Sequence, residues 1–158
     1  LCYTRDLSDW RDFVRRTPDA YEAWVEDVTK ECETLELRLL KDVCARGKPV
    51  FVDTNISLET LKVIANPRHV LIMLAPPHVS VRRFFERPDR EKQFLYQLLM
   101  GEKHPEQAME NFRQGLMQVN SQQRYDRFLR SGFQVILRDD ARTIEETLAL
   151  AECAFGLA

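Results

Sequence analysis

Apolar residues recur at intervals of three and four through most of residues 8–46. Tyr21, Trp24, Val25, Val28, Cys32, Leu35, Leu39 and Val43 form one stripe, which predicts a long amphipathic helix. Thr17-Pro18 interrupts it with a capping residue followed by proline at the first helical position, and Gly47 ends it. The period then changes. Val50-Phe51-Val52 is a short apolar run of the kind found in strands covered on both faces, and residues 69–75 (HVLIMLA) form a second. Ser57 is placed to cap a short helix over residues 58–65, which Asn66-Pro67 stops. Two apolar runs joined by one helix predict a βαβ unit with parallel strands.

Beyond the second run, Pro76-Pro77 predicts a helix that ends at Arg87 before Pro88, and another follows to Met100 before Gly101. A long helix is expected from His104-Pro105, with Met109, Phe112, Leu116 and Val119 on its buried face. Residues 133–137 then read as a third strand after Ser131-Gly132. Thr143 and Glu146 form a T-x-x-E capping box that opens a last helix, closed by Gly156. Strands alternating with helices predict an α/β domain. Three strands are few for a covered parallel sheet, so one or two more are expected to precede Leu1.

Composition narrows the functional classes. A chain of 158 residues with 44% apolar and 30% charged content is expected to form one domain with a sizeable core. We divide it into a helical substrate-side segment (1–47), core strands (48–77), a helical lid region (78–131), and a last strand with its helix (132–158). A net charge of −2 disfavours nucleic acid as a partner. No apolar run has the length of a membrane span, and no signal-peptide pattern opens the chain, so neither a membrane nor export is expected. Cys2, Cys32, Cys44 and Cys153 lack zinc-ligand spacing, which is consistent with free thiols in a reducing cytoplasm. Arginine supplies 17 of the 23 basic residues. That bias suits phosphate handling, and a G+C-rich coding sequence would produce it equally well.

The chemistry is expected at strand ends. Asp53 follows the first apolar run in VFVDTN, and open α/β sheets bind ligands outside the carboxyl ends of their strands. Followed by Thr54, Asn55 and Ser57, it reads as a Mg²⁺-holding acid or as a plain helix cap. Arg83 and Arg87, spaced i, i+4, and Arg90 beyond them would either close over a polyphosphate or form a solvated face paired with Glu86 and Asp89. Trp10, Phe13, Tyr21 and Trp24 line an acceptor pocket or, at helical spacing, belong to the core. His69, His78 and His104 lack partners at metal-ligand spacing, and no GxSxG elbow is present.

In combination these segments are similar to a known family. The strand ending in Asp53, the strand running into L-A-P-P with arginines over the next helix, Arg124-Tyr125, and the run FQVILRDDARTIEETL resemble P-loop small-molecule and nucleoside-monophosphate kinases, shikimate kinase among them. The likeness covers residues 48–158. It implies a three-layer P-loop NTPase-like parallel sheet with helices on both faces, ATP and Mg²⁺ as cofactors, and a small-molecule acceptor. It further implies a Mg²⁺-binding, Walker B-like role for Asp53. Arg82, Arg83, Arg87 and Arg90 become lid residues, with Arg83, Arg87 and Arg124 serving catalysis and Arg82 and Arg90 the nucleotide. Arg138 and Arg142 would lie in an adenine loop, and Arg5, Asp6 and Arg16 would face the acceptor together with Tyr3, Trp10 and Arg15. The sequence departs from the family in one respect: no GxxxxGK(S/T) loop occurs, and that loop with its lysine cradles the phosphates. The expectation is therefore a cytoplasmic, ATP-dependent phosphotransferase whose phosphate loop precedes Leu1. A non-catalytic nucleotide-binding module on the same scaffold is the alternative, and a protein-interaction role for the helix around Tyr21 to Val43 is a third.

Overall fold

In a computed structural model, residues 9–86, 88–138 and 141–157 are described. Helices dominate, at 64% of the described residues. Thr17 accepts from the N–H of Ala20 and so separates α1 (Trp10–Val14) from α2 (Pro18–Cys44), where proline leaves no donor to satisfy. Ser57 caps α3 (Leu58–Ile64) in the same way through the N–H of Thr60. A 3₁₀ turn, Pro67–His69, leads into β1 (Leu71–Leu74). Four helices follow: α4 (Pro77–Arg82), α5 (Arg90–Met100), α6 (Pro105–Val119) and α7 (Gln122–Leu129). β2 (Gln134–Leu137) then precedes α8 (Ile144–Ala154), which opens on the full Thr143–Glu146 capping box.

The expected three-layer P-loop sheet is not what the chain forms. Among the described residues the sheet has two strands, β1 and β2, which are parallel in the register Leu71↔Gln134 to Leu74↔Leu137. Val50-Phe51-Val52 is not a strand: it is exposed, without regular secondary structure, and Phe51 is 69% accessible, with its ring centroid 5.9 Å from that of Phe155. The physical reason is pairing. A strand exists by exchanging N–H and C=O bonds with a neighbour, and among the described residues none exchanges them with residues 50–52. The expected strand block at 48–77 therefore retains one strand. The helix expected to run to Arg87 stops five residues earlier, at Arg82, and α7, capped by Ser121, is an element the apolar pattern did not separate.

With so small a sheet, the core moves into the helices. Phe13, Val14, Tyr21, Leu99, Met109, Phe112 and Leu116 are buried together from α1, α2, α5 and α6. Trp24 packs edge-on against Phe13 with ring centroids 4.8 Å apart, and Tyr21 against Phe112 at 5.4 Å. α2 and α6 meet closely because Gly115 has no side chain: a Cβ there would lie 3.1 Å from Cδ1 of Tyr21. The α2 stripe is buried only at its start. Further along it Leu35 is exposed, and Leu39 is 64% accessible. No helix among the described residues is long and apolar enough to cross a membrane.

Candidate functional site

The parallel strand pair ends in a cleft. At the carboxyl end of β1, Leu74, Ala75 and Pro77 face Val119, Asn120, Ser121, Arg124, Tyr125 and Phe128 across a cavity of about 100 Å³. Apolar β1 places its end there, Pro76-Pro77 turns the chain at once into α4, and Ser121 starts α7 so that Arg124 falls on its first turn. Carboxyl ends of parallel strands are where open α/β sheets gather ligands, because the loops there diverge.

Arg124 is held from outside. Its Nη2 donates to Glu22 Oε1 and to Glu26 Oε1, each at 2.8 Å, so two carboxylates one turn apart on α2 orient the guanidinium on α7. Sequence reasoning missed Glu22 and Glu26, although their i, i+4 spacing marks one face of α2. Beside the cleft, the N–H of Arg138 donates to Leu74 O at 2.8 Å and extends the ladder by one residue. Arg142 reaches back from beyond β2 and donates from Nη1 to Leu137 O at 3.1 Å. Arg124, Arg138 and Arg142 are thus attached to the same end of the strand pair.

The other expected residues lie elsewhere. Arg82 and Arg83 are exposed at the far end of α4, and Arg83 Nε is 3.6 Å from Glu86 Oε2. Arg90 is exposed at the start of α5. Asp53 is exposed beyond residues 50–52, and its neighbour Thr54 hydrogen-bonds Glu36 of α2. Arg16 sits in the aromatic core wall, with its guanidinium 5.0 Å from the centroid of Phe13 and 5.5 Å from that of Trp24. Burial pulls its pKa down, and its Nη1 is buried without a hydrogen-bond partner among the described residues. Arg5, Asp6 and Arg87 lie outside the described residues, as does Tyr3.

A second, wider cleft of about 310 Å³ opens between the end of α1 and the start of α6, lined by Val14, Arg15, Glu102, Lys103, His104 and Asn111. Arg15 Nε meets Glu102 Oε2 there at 2.9 Å, and that hydrogen bond raises the pKa of Arg15. The charged pair spans the cleft and largely cancels.

The donor set limits what a metal would find. No group of three or more His, Cys, Asp or Glu side chains among the described residues is placed to hold an ion. Mg²⁺ commonly takes one or two carboxylates and completes its shell with water and phosphate oxygens, so Asp53 fits as a single protein ligand and no more. For ATP, the arginine side chains at the strand ends fit phosphate by charge and fork geometry. No family model, no curated protein and no solved structure matches this chain.

Proposed function

We propose that the chain serves phosphoryl transfer from ATP, with Mg²⁺, to a small-molecule acceptor, and that the nucleotide phosphates bind at the carboxyl ends of β1 and β2. The observation that carries this reading is the parallel pair ending beside an oriented arginine: Leu74 and Ala75 share a cavity with Arg124, and the N–H of Arg138 closes the ladder next to it. ATP would supply the transferable phosphoryl group. Arg124, held by Glu22 and Glu26, would present one fixed donor edge and spend little entropy on binding. Arg138 and Arg142, both exposed, would add charge from the β2 side. Asp53, exposed as well, would hold the ion through water or directly.

A second reading, a nucleotide-binding module without catalysis, is favoured by the same two ion pairs. They already neutralise Arg124, which leaves less of its charge for a transferring phosphoryl group. Calorimetry with ATP and Mg²⁺, followed by ADP release with and without a panel of small hydroxylated and carboxylated acceptors, separates the two. Acceptor-dependent ADP supports transfer; binding without ADP supports the module. An absence of ATP binding at millimolar concentration refutes both. Arg124→Met is expected to weaken binding about tenfold or more, the loss of one charge-assisted hydrogen bond.

A further inference from the structure

We draw no further inference here: the strongest candidate, the cleft of about 310 Å³ between the end of α1 and the start of α6, carries nothing because Arg15 and Glu102 pair across it, Lys103 and His104 are exposed, and nothing in the structure shows what fills it.

Discussion

Replacing Gly115 with alanine tests how closely α2 and α6 are packed. In an isolated helix the change is favourable, because glycine costs roughly 0.5–1 kcal/mol relative to alanine in a helix interior. Here the new methyl would stand 3.1 Å from Cδ1, 3.3 Å from Cγ and 3.4 Å from Cβ of Tyr21. Tyr21 has little room to yield, since its ring is flanked by Phe13 at 5.8 Å, Phe112 at 5.4 Å and Trp24 at 6.2 Å. Forcing a methylene-sized group into such a contact costs about 1–3 kcal/mol. The overpacking term exceeds the propensity term, so Gly115→Ala is expected to destabilise by about 1 kcal/mol, lowering Tm by about 3 °C for a chain of this length. Urea denaturation followed by circular dichroism and by the fluorescence of Trp10 and Trp24 measures it. The control is the same substitution in a Tyr21→Leu background, where the ring is gone and the sign should reverse to a gain of about 0.5 kcal/mol. A stabilising Gly115→Ala in the unmodified chain would refute the argument, as would the same change in both backgrounds.

Two further outcomes follow from polar contacts. Arg124→Met should cost about 1 kcal/mol, because both of its ion pairs are partly exposed and modest, and a double-mutant cycle with Glu22→Gln and Glu26→Gln should recover most of that loss; independence of the three positions would contradict the geometry. Glu33 accepts from Thr60 Oγ1 and from the N–H and hydroxyl of Ser57, and these bonds, the Thr60 one foremost, hold its carboxyl below the usual range. A depressed carboxylate stabilises the fold above its unfolded pKa of ~4.3, and that contribution is lost as pH falls through the folded value. The stability gap between the unmodified chain and Glu33→Gln should therefore be widest at pH 7 and narrow below about pH 4.3; urea midpoints measured from pH 7 to pH 3 would count against the assignment if the gap stayed constant.

Several helix starts were legible because capping is local. Thr17-Pro18, Ser57 and the Thr143–Glu146 box each satisfy backbone donors within a few residues, and the structure starts helices there, while the helix that Asn66-Pro67 is expected to stop ends at Ile64. The candidate site was legible in part. The resemblance to P-loop kinases pointed to Arg124, Arg138 and Arg142, but not to Glu22 and Glu26, which lie about a hundred residues from Arg124 along the chain. Asp53 was expected at a strand end and lies beyond an unpaired segment instead.

The sequence by itself therefore determined most of the helices, several of their caps and the two apolar runs, 69–75 and 133–137, within which the strands form, since periodicity and capping act over a few residues. Tertiary structure alone decided that Val50-Phe51-Val52 is not a strand, that the core lies among α1, α2, α5 and α6, and that Arg124 is held by α2. A strand needs a neighbour's hydrogen bonds and a buried face needs a partner surface, and neither is a property of a short stretch of residues.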